Sequence, residues 1–245
     1  MNPRLVLATA HRVGGQLRRD RRTLALVIVV PCVLLWLFSE LFADTPVIFQ
    51  RIAPAMLGVF PFITMFLVTS VAMVRERTSG TLERLLTTPI AKADLVLGYA
   101  LAFGILSLVQ AGAACAVALG LLDVNPPASV AVLVLIAVAN ALLGAALGLG
   151  VSALATTEFQ AVQFMPAVVL PQILLCGLIV PTDQMAGWLD AISVVMPLRY
   201  AVDAMTELTG ASTVHGQVWL DLAIIAGCVV VALAVGATTL RRRTA

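Results

Sequence analysis

The chain has 245 residues, of which 61% are hydrophobic and only 11% charged, with a formal net charge of +2. Soluble domains carry about 25% charged and under ~50% apolar residues, so this balance excludes a soluble globular domain. It marks an all-α polytopic membrane protein, with a single membrane domain over residues 1–245 and no room for a second, soluble one.

Residues 3–22 are too polar for a bilayer core. On a helix, Val6, Ala10, Val13 and Leu17 share one side, and Arg4, His11, Arg12, Arg18 and Arg19 share the other. That is the pattern of an amphipathic helix lying along an anionic leaflet. No signal-peptide cleavage pattern precedes the first apolar run. Six spans are expected at 23–40, 54–74, 95–122, 128–155, 161–180 and 219–240. Each approaches or exceeds the ~20 apolar residues that a bilayer needs. Asp44–Arg51, with Pro46, reads as a short loop, Asp123–Pro127 as a tight turn, and Thr156–Gln160 as a very short connection.

Between the second and third spans lies RERTSGTLERLLTTP, residues 75–89, the densest mixed charge in the chain. Arg75, Glu76 and Arg77 end an apolar run. Gly80 fits an N-cap with Glu83 three residues on, a weak capping box. Leu82, Leu85 and Leu86 then fall on one helix face. Thr88 precedes Pro89, where the chain leaves helical geometry. A helix of one and a half turns does not hold in water by itself, so the region 76–91 needs a partner surface.

Basic residues set the orientation. The 3–22 segment holds six arginines, Arg75, Arg77, Arg84 and Lys92 flank the short helix, and Arg241, Arg242 and Arg243 close the chain, leaving only Arg51 and Arg199 on the other face. The positive-inside rule places both termini and the short helix in the cytosol. The segment 181–215 then lies outside, with Asp183, Asp190, Asp203 and Glu207. Its apolar stretches after Pro181 and Pro197 predict helices dipping back into the outer leaflet, where irregular backbone must be covered by protein or water. Arg199, Asp203 and Glu207 are spaced for a charge ladder. Trp188 and Trp219 stand where interface anchors belong.

Little catalytic chemistry is available. No span has a charge near its middle, which argues against a proton- or ion-coupled carrier. Asn140, Gln110, Gln163 and Gln172 are read as interhelical hydrogen bonders, and Gly144 and Gly148 form a GxxxG that fits close internal packing or dimerisation equally. The only lysine, Lys92, lacks a glycine-rich approach, so there is no phosphate loop. Cys32, Cys115, Cys176 and Cys228 each sit alone in apolar runs, as small buried hydrophobes do. His11 and His215 fall on opposite sides of the membrane, so no metal site is expected. The chain is read as no enzyme, with no catalytic residues, no cofactor and no nucleic-acid partner. Work against a gradient requires an outside engine.

The run 75–89 resembles the cytoplasmic signature of type 2 ATP-binding-cassette export permeases, through Arg75, Glu76, Gly80, Thr81, Glu83, Leu86, Thr87 and Pro89. A second stretch, Gly177, Leu178 and Pro181, then Pro197, Leu198, Tyr200 and Asp203, resembles an outer motif of the same family. Within that family the chain resembles the daunorubicin-resistance-like drug-export permeases. The resemblance implies a half-transporter in a bacterial plasma membrane: two ABC ATPase subunits binding ATP and Mg, and a second permease, identical or a sister chain. Arg75, Glu76, Gly80, Thr81, Leu82, Glu83, Leu85, Leu86, Thr87 and Pro89 become the ATPase-coupling site. Residues 3–22 become a connecting helix on the same ATPase. Gly177, Pro181, Pro197, Tyr200 and Asp203 become an extracellular gate. Glu76 and Glu83 are expected to pair with the ATPase or to brace Arg75 and Arg84. The expected cargo is an amphipathic drug or lipid. Polysaccharide or sodium export on the same architecture is the alternative, disfavoured by 6% aromatics and no evident oxygen cluster. A non-transporting scaffold and a secondary carrier are the remaining rivals.

Overall fold

The computed structural model describes residues 2–87 and 90–239. Thr88, Pro89, Leu240 and the Arg241–Arg243 tail lie outside the described residues, as do the side chains of Leu82, Glu83 and Leu86. Ten α-helices are described: α1 Pro3–Arg19, α2 Arg21–Leu41, α3 Pro46–Thr78, α4 Thr81–Leu86, α5 Lys92–Gly120, α6 Val130–Val151, α7 Glu158–Leu175, α8 Gly187–Ser193, α9 Pro197–Gly210 and α10 Gly216–Thr239. Short 3-10 turns follow α6 and precede α8. Six helices are long and apolar enough to cross a membrane.

Local chemistry sets the boundaries. Asn2 caps α1 by accepting from the Arg4 amide at 3.1 Å. Asp20 alone separates α1 from α2: its amide closes α1, and its carboxylate accepts from the Thr23 amide at 3.1 Å and hydroxyl at 2.7 Å. Pro46 starts α3 at its first turn, where a missing N–H costs nothing. The second span therefore begins eight residues before Pro54, and the stretch read as a loop is helical from Pro46 on. Gln50, on that early turn, donates from Nε2 to the Asp123 carbonyl at 2.9 Å and so holds the α5–α6 turn. The fifth span is shorter than expected. It ends at Leu175 rather than 180, because Gly177 takes φ +88°, which no helix accommodates.

The centre of the bundle is the α3–α6 seam. A Cβ on Gly144 or Gly148 would collide with the carbonyl oxygens of Phe62 and Phe66. One turn away, Asn140 Nδ2 donates to the Gly58 carbonyl at 2.8 Å. Gly58, Phe62 and Phe66 thus meet Asn140, Gly144 and Gly148 in register, turn by turn, along two parallel helices. The GxxxG serves internal packing. Gln110 on α5 donates to the Thr64 hydroxyl of α3, as expected of an interhelical hydrogen bonder. Gln172 instead bonds its own helix at Val168, and Gln163 is exposed. The four cysteines are free, with Cys115 and Cys176 buried and Cys32 and Cys228 half-buried.

Helix α9 turns back onto the bundle. It buries Leu198, Ala201, Val202, Ala204, Met205 and Leu208 and packs on α3 and α10. The outward faces of α2, α7 and α10 are apolar, with Leu26, Trp36, Leu174 and Val230 all at least half exposed. Hydrocarbon is the solvent that suits such faces.

Candidate functional site

The helix carrying the first motif does not stop where the charges begin. Arg75, Glu76 and Arg77 form the last turn of α3 and are not part of the short helix. They point three ways. Arg75 makes a bidentate pair with Glu158 at the start of α7, Nε to Oε1 at 2.9 Å and Nη2 to Oε2 at 3.0 Å, and its Nη1 lies 3.6 Å from Asp20. Glu76 turns inward. It accepts from Arg12 Nη1 of α1 at 3.0 Å and from the Tyr99 hydroxyl of α5 at 2.9 Å. Arg12 Nη2 donates to the same hydroxyl at 2.7 Å, closing a triangle. Arg77 donates to the Ser152 carbonyl, beyond the end of α6, at 3.0 Å. Three consecutive side chains thus tie the end of α3 to α7, to α1 with α5, and to α6.

Two expectations are corrected here. Arg12 does not lie on the solvent side of α1 but reaches into the bundle, to the largely buried Glu76 carboxylate and the buried Tyr99 phenol. Glu76 braces neither Arg75 nor Arg84. Its side chain is 11% exposed and both oxygens are occupied, so the structure gives it to α1 and α5. Tyr99, 1% exposed, is the third member that sequence reading missed. Its signal was faint: one tyrosine in the second turn of an apolar span.

Beyond this hub the chain reverses. The Ser79 amide closes α3 on the Arg75 carbonyl, and Gly80 takes φ +70°, a left-handed geometry that glycine adopts without penalty. The Gly80 carbonyl then accepts from the Arg84 amide at 3.1 Å, so Gly80 also begins α4, as an N-cap does. The Ser79 and Thr81 hydroxyls meet at 3.0 Å. Leu85 is half-buried against the core, while Arg84 and Thr87 are exposed. The expectations for the side chains of Leu82, Glu83 and Leu86, and for Pro89, fall outside the described residues. A six-residue helix is therefore joined to a 33-residue one by two residues and one left-handed turn.

The second motif gathers around Arg199. Its Nη1 donates to Asp190 Oδ1 at 2.8 Å and to the Ser193 hydroxyl, and its Nε to Asp203 Oδ2 at 3.4 Å. Tyr200 donates to the Val194 carbonyl at 2.7 Å and fixes the α8–α9 turn. A Cβ on Gly177 would stand 3.6 Å from Asp203 Oδ1, so these two gate candidates are neighbours. Pro197 opens α9, and Pro181, exposed, leads into the 3-10 turn. Burial pushes the Asp203 carboxyl up to about 6 against the pull of Arg199. The expected ladder stops after one rung, since Glu207 pairs with His215 at 3.0 Å.

The profile of the ABC-2 type transporter family matches residues 5–209. The chain belongs to the ABC-2 type transporter family. It is 27% identical over 171 residues to the probable multidrug ABC transporter permease YbhR of Escherichia coli, covering 70% of this chain and 46% of that protein. It is 30% identical over 145 residues to the probable multidrug permease YbhS of the same organism, covering 58% and 38%. It is 26% identical over 138 residues to the linearmycin resistance permease protein LnrN of Bacillus subtilis, covering 56% and 35%. The chain spans less than half the length of these curated relatives. As an ABC-2 protein with six apolar helices it is a multi-pass membrane protein.

Two buried carboxylates of this ABC-2 chain escaped the sequence reading. Asp94, 3% exposed, accepts from the Asn2 amide with both oxygens at 3.2 Å and anchors the start of α1 on α5. Asp221, 2% exposed near the start of α10, accepts from Gln217 at 2.9 Å, and its Oδ2 has no partner among the described residues. Asp94 sits in the first turn of α5, where an aspartate signals capping and nothing more, and Asp221, in the second turn of α10, carries no local mark that tells it from a surface residue.

Proposed function

We propose that this chain is the membrane permease of an ATP-driven exporter of amphipathic drug-like or lipid-like molecules, with ATP and Mg bound on separate ATPase subunits. Two such subunits would serve two permeases, identical or paired with a sister chain, in a bacterial plasma membrane, with both termini cytoplasmic. The observation that carries the reading is the end of α3. There, a helix clamped by Arg75, Glu76 and Arg77 to α1, α5, α6 and α7 continues through two residues into α4. A push on α4 is thereby delivered to the whole bundle rather than absorbed in a loop. Within this reading, α4 and the residues that flank it (Gly80, Thr81, Leu82, Glu83, Leu85, Leu86, Thr87 and Pro89) meet the ATPase. Arg75 and Glu76 act behind it as the hub. Gly177, Pro181, Pro197, Tyr200 and Asp203 shape the exit. The names of the relatives, two multidrug permeases and one resistance permease, favour an amphipathic cargo.

The test is reconstitution. The chain and its companion ATPase in proteoliposomes are expected to move a fluorescent amphipathic dye in an ATP-dependent manner. Neither component alone should do so. Dye movement by the permease without the ATPase, driven by a proton gradient, would establish a secondary carrier instead.

A further inference from the structure

The face of α3 opposite its seam with α6 is not filled. Between α2 and α3 lies a cavity of about 730 Å³, floored by Tyr99 and Phe103 of α5 and edged by Val162 of α7. Its volume falls in the range of about 300–1,000 Å³ that holds drug-sized ligands. Its long wall is apolar, from Leu26 and Val30 on α2 to Val68 and Val71 on α3. Its polar end is built by Asp20, Thr23, Arg75 and Glu76. We infer that this cavity, within one protomer, is a binding site for a single-tailed zwitterionic amphipath drawn from the cytoplasmic leaflet. The inference rests on the exporter reading, for which it supplies an entry site.

Three observations carry it. The first is length. The α3 wall runs from Thr64 to the polar end at Arg75 and Glu76, a rise of about 16–18 Å of helix. Half of a ~30 Å hydrocarbon core is about 15 Å. The cavity is thus one leaflet deep, with its polar end where headgroups lie. The second is volume, which suits one acyl chain and not the two of a membrane phospholipid. The third is charge. Glu76 is neutralised by Arg12 at 3.0 Å. The rest of the mouth balances as well: Arg75 lies 2.9 Å from Glu158 and 3.6 Å from Asp20, and Arg22 also acts on Asp20. A balanced mouth gives a net ion nothing to neutralise. A zwitterion meets both charges at once. The Asp20–Arg75 pair is exposed and long, so opening it to admit a headgroup costs little.

The probe is palmitoyl lysophosphatidylcholine with a diazirine at the chain end, photo-crosslinked to the full chain in nanodiscs and mapped by mass spectrometry. Saturable labelling is expected on residues 24–30 and 64–72, competed by unlabelled lysophosphatidylcholine and at least tenfold less well by lysophosphatidylglycerol or a single-tailed alkylammonium. Val68→Trp, which fills the cavity, should cut that labelling at least fivefold. Should Val68→Trp not give folded protein, Leu26→Trp fills the space from the α2 side. Asp20→Asn should erase the preference for the zwitterion while leaving the fold intact. Non-saturable labelling spread over the outward faces of α2, α7 and α10, or labelling unchanged in a folded cavity-filled variant, would overturn the inference. Because labelling needs no ATPase, it separates the two ideas. Saturable labelling without ATP-driven efflux sinks only the exporter reading, and efflux without labelling sinks only the cavity.

Discussion

One helix, α3, has two unlike faces. Toward α6 it is welded: glycines let two backbones touch, and nothing larger fits at Gly144 or Gly148. Toward α2 it stands off, leaving a cavity lined by ordinary aliphatic side chains. The same helix therefore belongs to a rigid block on one side and to a space that can be occupied on the other. Without a hydrophobic driving force between helices in lipid, contact of this closeness is the main source of cohesion available to a membrane bundle. Where it is absent, helices part readily, and that is where a passenger fits.

The sharpest way to break this contrast is to place bulk on each face. Gly148→Leu pushes a side chain into the Phe66 carbonyl and should cost more than about 3 kcal/mol, the upper end for overpacking. The measurement is the yield of monodisperse protein in detergent and its melting temperature. Val30→Leu, on the cavity side, adds one methylene and should leave both nearly unchanged. Equal damage from the two would erase the distinction.

The next largest effect is at the hub that ends α3. Glu76→Gln loses charge-assisted bonds from Arg12 and should lower stability by about 2 kcal/mol, with Tyr99→Phe costing about 1 kcal/mol. Arg75→Gln, whose side chain is 57% exposed, should cost under about 1 kcal/mol despite its two carboxylate neighbours. Thermal unfolding in detergent at fixed pH ranks the three. Smaller still is Asn140→Leu on the seam, expected near ~0.6 kcal/mol, the average for an interhelical hydrogen bond in a membrane protein. A loss several times larger would mean that Asn140, and not the glycines, holds the seam.

At the outer end of the bundle the expected effect is a pH slope. The folded-state Asp203 carboxyl lies at about 6, above its ordinary value of 3.8. The folded state thus holds a proton across that interval that the unfolded chain has released. The stability contributed by this group is fully present below about pH 4 and is lost as pH rises through about 6. Asp190, Arg199 and Asp221 share this neighbourhood. Hydrogen exchange of α9 between pH 4 and 7 should show faster opening as pH rises. Asp203→Asn should flatten that dependence.

Much of this layout was legible in the chain itself. Six apolar runs announced six helices, and the 3–22 stripe announced α1, because period and length are local properties. The end of α3 was misread. Arginine and glutamate look like an exit from the membrane, yet both are good helix formers, and the real stop signal, Ser79-Gly80, came four residues after Arg75. The GxxxG was visible, but its partner was not, since Phe62 and Phe66 differ in nothing local from other phenylalanines. The Arg12–Glu76–Tyr99 triangle joins residues 64 and 87 positions apart, and no spacing rule spans that distance. The cavity was invisible for the same reason, being a gap between helices rather than a pattern within one.

In the proposed exporter, α4 is the surface that an ATPase grips from the cytosol. Arg84→Cys, in a background with the four native cysteines replaced, tests it directly with a membrane-impermeant maleimide. A cytoplasmic α4 held by the ATPase gives no labelling in intact cells, labelling after permeabilisation, and protection when the companion ATPase is co-expressed. Labelling of intact cells, or labelling indifferent to the ATPase, would contradict it.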